Sequence, residues 1–146
     1  MKKESEKMNL AIIDHLLSWD RDVTPSPCPD FASFRRIFNE AGGPWEAPVD
    51  RAVVGGLVSE CFAYAFAAGY CCALQRLAPT LPADSVACFC ITEEWGVHPR
   101  AIQSRLAPSG DDDTRGNAFT LNGRKKYITC AKEADLFLVS AHGYRG

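Results

Sequence analysis

Cys90-Ile91-Thr92-Glu93, Leu121-Asn122-Gly123-Arg124-Lys125-Lys126-Tyr127-Ile128-Thr129 and Ala134-Asp135-Leu136-Phe137-Leu138-Val139 follow one another within residues 88–141. Around them, five short runs rich in β-branched and aromatic residues predict strands at 85–91, 101–107, 118–121, 124–129 and 135–141. Asn122 and Gly123 lie between two of these runs. Both tolerate positive φ, so the pair predicts a two-residue type I′ hairpin turn. The acidic run Asp111 to Asp113, flanked by Gly110, Arg115 and Gly116, reads as a solvated hairpin loop, because a calcium site needs more ligands at defined offsets.

Upstream of residue 84 the pattern is helical. Leu10, Ile13, Leu16 and Leu17 share one face of a predicted helix over 8–19. Pro25, Pro27 and Pro29 make 23–29 a connector. Asp30 is placed to cap a second helix whose Phe31, Phe34, Ile37 and Phe38 share a face. Gly42 and Gly43 are expected to end it through positive φ. Residues 50–77 are apolar nearly all round and predict one long helix packed among others, stopped before Pro79 and Pro82. The expected fold class is therefore α+β. An N-terminal α-helical lobe over 1–84 precedes a partial antiparallel β-barrel-like sheet over 85–146.

Composition narrows the function classes. Of 146 residues, sixteen are Lys or Arg and eighteen Asp or Glu, for a formal charge of −2. No global basic field favours nucleic acid or an anionic membrane. The amphipathic stretch 8–17 contains Asp14 and His15 where a signal peptide needs an unbroken apolar core. The uncharged run 61–74, bracketed by Glu60 and Arg76, falls short of the roughly 20 residues that span a bilayer. A cytoplasmic protein without a membrane span is expected. Seven cysteines include no Cys-x-x-Cys pair, so free structural thiols are expected and no metal site.

The order Thr-Glu, then Gly-x-Lys-x-aromatic-Ile-Thr, then the strand at 134–139 resembles the flavin-binding middle domain of the acyl-CoA dehydrogenases. The likeness is strongest between Ala87 and Ala141. It implies FAD as cofactor and an acyl-CoA thioester as substrate. It places Tyr127 beside the isoalloxazine and Thr92 and Thr129 at the N5 side and pyrimidine edge, with Ile91 contributing main-chain contact and Ile128 counted among the cofactor-binding residues. A flavin site needs such an apolar wall with donors aimed at the ring edge. The same residues also suit an ordinary strand, with Tyr127 a strand aromatic and both threonines present for their β-branching.

The chain departs from the family between Glu94 and Arg100. A Pro- and Gly-rich loop ending in Ser-Asp is expected there, but only Gly96 remains and His98 stands at the serine position. His98 and Arg100 are candidates for phosphate or substrate contact, with an exposed loop imidazole as the plainer alternative for His98. Lys125 and Lys126, beside Arg124, can likewise attract phosphate or form a solvated edge.

The resemblance further implies a reaction in which a carboxylate removes the α-proton while the β-hydrogen leaves as hydride to the flavin. That carboxylate belongs to the family's C-terminal helical domain, so Glu93 is not assigned the role and no catalytic residue is named. A chain ending at Gly146 has too few strands to close a barrel. A homo-oligomer or a second chain bearing the C-terminal domain is therefore expected. The alternative is a noncatalytic interaction subunit that keeps the fold without cofactor.

Overall fold

A computed structural model describes residues 10–18, 25, 27–109 and 118–143. The architecture is mixed α+β. The chain divides into two compact units, Met1–Thr80 and Leu81–Gly146. The acidic run at 111–113, residues 8, 9 and 19 of the first predicted helix, and part of the connector over 23–29 lie outside the described residues.

The first unit holds α1 (Leu10–Ser18), α2 (Phe31–Gly42), α3 (Pro48–Val58) and α4 (Phe62–Leu77). α2 starts where the Asp30 side chain accepts the Ser33 N–H at 2.8 Å, satisfying one orphan donor of the first turn. Its buried face carries Phe34 and Phe38, whose rings stack at 6.0 Å. These join Ile12, Cys28, Val54, Val58, Ala68 and Cys72 in one apolar cluster. Burying each large side chain of this kind contributes about 1.5–3 kcal/mol. α2 ends differently from the expected route: Gly43 is right-handed at φ −55°, and no positive φ is needed.

The predicted helix over 50–77 is two helices. Ser59 is extended, its hydroxyl donating to the Gly55 carbonyl at 2.5 Å. Cys61 then takes extended geometry as the N-cap of α4. A hydroxyl that bonds back to the preceding turn offers the backbone an alternative to continuing the helix. On α4, Phe62 and Phe66 stack at 6.1 Å, as do Phe66 and Tyr70, and Phe62 is 83% exposed. Among the described residues, no helix is long and apolar enough to cross a membrane.

The second unit contains β1 (Ala87–Cys90), a 3₁₀ turn (Pro99–Ala101), β2 (Arg105–Pro108), β3 (Phe119–Asn122) and β4 (Leu136–Val139). β1 pairs with β4 in parallel, from Ala87 opposite Leu136 to Cys90 opposite Val139. β2 and β3 form an antiparallel pair with Arg105 opposite Asn122. These are two two-stranded ladders, and no closed barrel is formed among the described residues. The expected all-antiparallel arrangement gives way because a connection as long as 91–135 permits a parallel crossover.

Asp135 fixes the start of β4 by accepting the Val86 N–H at 2.9 Å. Beyond β4, the chain bonds to β2 on both sides of Arg105. The His142 N–H donates to the Ser104 carbonyl at 2.8 Å, and the Leu106 N–H donates to the His142 carbonyl at 3.0 Å. One bridge thus stitches the ladders together.

Candidate functional site

The centre of the second unit is a carboxylate. Glu93 follows β1 and is held in a tight turn with Gly96, whose backbone sits at φ +106°. Its Oε2 accepts the Gln103 N–H at 2.6 Å. Its Oε1 accepts the Ser104 N–H at 3.0 Å, the Ser104 hydroxyl at 2.7 Å and the Lys125 ammonium at 2.6 Å. The pair is enclosed, with the Lys125 and Glu93 side chains 8% and 5% exposed. Lys125 also donates to the Ser140 hydroxyl at 3.1 Å, and that hydroxyl meets the Cys90 carbonyl at 3.3 Å. Four separate segments converge on one ion pair.

The Lys125 ammonium and then the Ser104 hydroxyl pull the Glu93 carboxyl down to about 2, against the opposing effect of burial. Glu93 is therefore a fixed anion at neutral pH and has no proton-abstracting capacity to spare. Lys125, expected as one of the candidates for a solvated edge, is instead a buried partner. The two elements of the Thr-Glu and Gly-x-Lys pattern are bonded to each other, a link that sequence spacing alone does not reveal.

Gly123 does not form the predicted hairpin turn. Asn122 ends β3, and the described residues with positive φ are Gly96, Tyr127 and Cys130. A Cβ at Gly123 would lie 2.8 Å from the Ser104 Cα and closer still to its side chain. The glycine is needed for that close approach, which brings Ser104 up to the Glu93–Lys125 pair. The predicted strand over 124–129 is also absent: residues 123–128 have no regular structure. Tyr127 turns left-handed at φ +57°, which breaks strand alternation after the inward Lys125.

The residues expected to hold a flavin fall on two neighbouring segments. The Lys126 N–H donates to the Thr92 carbonyl at 3.0 Å, and the Cys88 thiol donates to the Thr129 carbonyl at 2.7 Å. Residues 126–129 therefore run beside the end of β1. Tyr127 is 83% exposed, with the Lys126 ammonium 5.6 Å from its ring centroid. Ile91, Thr92, Ile128 and Thr129 are half-buried. Neither threonine hydroxyl has a hydrogen-bond partner among the described residues. None of these five residues lines the cleft beside Glu93.

His98 and Arg100 are both exposed, on the 3₁₀ turn. His98 Nδ1 accepts the Arg100 N–H at 3.1 Å, so the imidazole caps the turn. Neither residue lines the cleft of about 300 Å³ that opens beside Glu93. None of the seven cysteines is in a disulfide, and five are buried. Burial pushes the Cys72 thiol up to about 11, as suits a structural thiol. Among the described residues, no cluster of three metal-ligating side chains occurs. No family model, curated protein or solved structure matches the chain.

Proposed function

We propose that this chain is an acyl-CoA dehydrogenase-like flavoprotein, with its second unit corresponding to part of that family's barrel-like β domain and acting in the cytoplasm. The observation that carries the reading is the buried bond between Glu93 and Lys125. It joins the Thr-Glu element to the Gly-x-Lys-x-aromatic-Ile-Thr element, so the residues that carry the resemblance form one structural piece. In this reading Tyr127 provides the wall against the isoalloxazine, and Thr92 and Thr129 turn hydroxyls toward its polar edge. Ile91 contributes main-chain contact, and Ile128 joins it among the cofactor-binding residues. Bound FAD supplies the hydride acceptor for oxidation of an acyl-CoA Cα–Cβ bond. In this reading the chain acts as a homo-oligomer or with a second chain, and Glu93, held by Lys125, is not the proton-abstracting carboxylate.

The test is a titration of the purified chain with FAD, followed by flavin fluorescence and visible absorbance. Saturable quenching that Tyr127→Ala and Thr129→Val both weaken is expected. A colourless protein with no saturable quenching would overturn the proposal.

A second reading, a noncatalytic interaction subunit, is favoured by the exposed rings of Phe62 and Phe66 on α4, which stack in a row with the half-buried Tyr70. Solvent-facing aromatic rows of this kind mark partner surfaces. That reading expects no flavin affinity together with association that Phe62→Ser weakens.

A further inference from the structure

We propose that the cleft of about 300 Å³ beside the Glu93–Lys125 pair binds a phosphate-type dianion through Arg105 and Arg124. The cleft is walled by both acidic and basic side chains, and their pairing decides its character. Glu93 is matched by Lys125 at 2.6 Å and Glu94 by Lys126 at 3.1 Å. The guanidinium groups of Arg105 and Arg124 remain, and among the described residues neither has an ion-pair or hydrogen-bond partner. Two uncompensated positive charges at one cleft call for a ligand of charge close to −2, which a phosphate monoester carries at neutral pH.

The backbone sets these two groups in place. Arg105 pairs with Asn122 at the end of the β2–β3 ladder, and Arg124 follows Asn122 by two residues, so both project near one ladder end. Asn122 also lines the cleft and adds a side-chain amide that can donate to an oxyanion. Planar guanidinium forks engage phosphate oxygens bidentately, where an ammonium acts as a point charge. The cleft lies at the lower end of the size range of small-molecule sites and suits a phosphate with a small substituent. Because Glu93 stays ionised with Lys125, the ligand does not compete for that lysine. None of the five residues proposed for the flavin lines this cleft, so the site stands whether or not flavin binds.

The test is calorimetric titration of the full chain, without flavin, with inorganic phosphate and with phenyl phosphate, against sodium chloride at matched ionic strength. Saturable binding of phosphate but not chloride is expected. Arg105→Gln and Arg124→Gln should each weaken it about tenfold, and Arg124→Lys should restore only part of the loss. Arg36→Gln on α2 is the control and should leave binding unchanged. Tighter binding of the ester identifies the phosphoryl end of a larger molecule as the ligand, and equal binding identifies free phosphate; either supports the site. Both arginines are exposed, and an unchanged circular dichroism spectrum checks that each variant folds. Binding that survives in the double variant, or chloride acting as well as phosphate, would overturn the proposal.

Discussion

In the helical unit Phe34, Val54 and Cys72 meet in an apolar cluster, whereas at the centre of the β unit Lys125 meets Glu93, with Ser104 and Ser140 completing a polar knot. The two devices act differently. Apolar burial is non-directional and roughly proportional to area, so the helices are held by how well their faces fill space. The knot is directional, because each donor must reach one carboxylate. Attraction inside a buried ion pair is largely offset by desolvation, so the knot's main effect is positional: it fixes residues 90–93, 103–104, 125 and 140 relative to one another. The candidate flavin residues lie on two of those segments or next to them.

The largest expected effect lies on the apolar side. Phe34 is 1% exposed, and Phe34→Ala should lower unfolding free energy by about 3–5 kcal/mol in urea denaturation followed by helical circular dichroism. Because no titrating group is involved, the loss should be the same at neutral and acid pH. Glu93→Gln should behave in the opposite way. The Glu93 carboxyl titrates at about 2, below its ordinary 4.5. Its stabilising contribution is therefore complete above the ordinary value and is lost as pH falls from there toward about 2. The variant should be less stable than the wild type at neutral pH, where Lys125 loses its buried carboxylate partner, and the gap should close across that acid window. A gap of constant size would break the comparison. Adding Lys125→Met to Glu93→Gln should recover stability at neutral pH, since removing both charges avoids an unpaired buried cation.

How far these features were legible in the sequence depends on how local their causes are. α2 was readable because its cap and apolar face lie within Asp30 to Phe38. The break between α3 and α4 was hidden, because it rests on Ser59 and Cys61 and not on glycine or proline. β1 and β4 were recognisable as strands from their composition, but their parallel pairing is a choice between distant segments that composition does not encode. Asn122-Gly123 carries the residues of a tight turn, yet tertiary contact with Ser104 governs what Gly123 does. Lys125 sits between Arg124 and Lys126 and looks solvated until Glu93, 32 residues away, is brought against it. Of the candidate flavin residues, motif order predicted which segments matter. It did not predict the left-handed backbone at Tyr127 or the meeting of Arg105 and Arg124 at one cleft.

The smallest effects come from two adjacent glycines of α3, which test how tightly the apolar side is packed. A Cβ on Gly55 would lie 2.5 Å from the Ala68 Cβ and 2.9 Å from Phe38 Cε2, inside the contact of α3 with α4 and α2. Gly55→Ala must push apart side chains that already fill the interior, and should destabilise by about 1–3 kcal/mol. A Cβ on Gly56 would meet nothing within 4 Å, and that residue is exposed in a helix interior. Gly56→Ala should therefore stabilise by about 0.4–1 kcal/mol, because alanine restricts the unfolded chain and favours the helix. Neighbours in sequence are thus expected to respond with opposite sign, and parallel urea titrations of the two variants measure both. Loss of stability in both would mean that α3 is packed on two faces, and a gain in both would mean that its contact with Ala68 and Phe38 is loose enough to yield. Either result would remove the difference between a space-filling helical core and a β unit fixed by directed bonds, because the first of those descriptions depends on Gly55 having no room to spare.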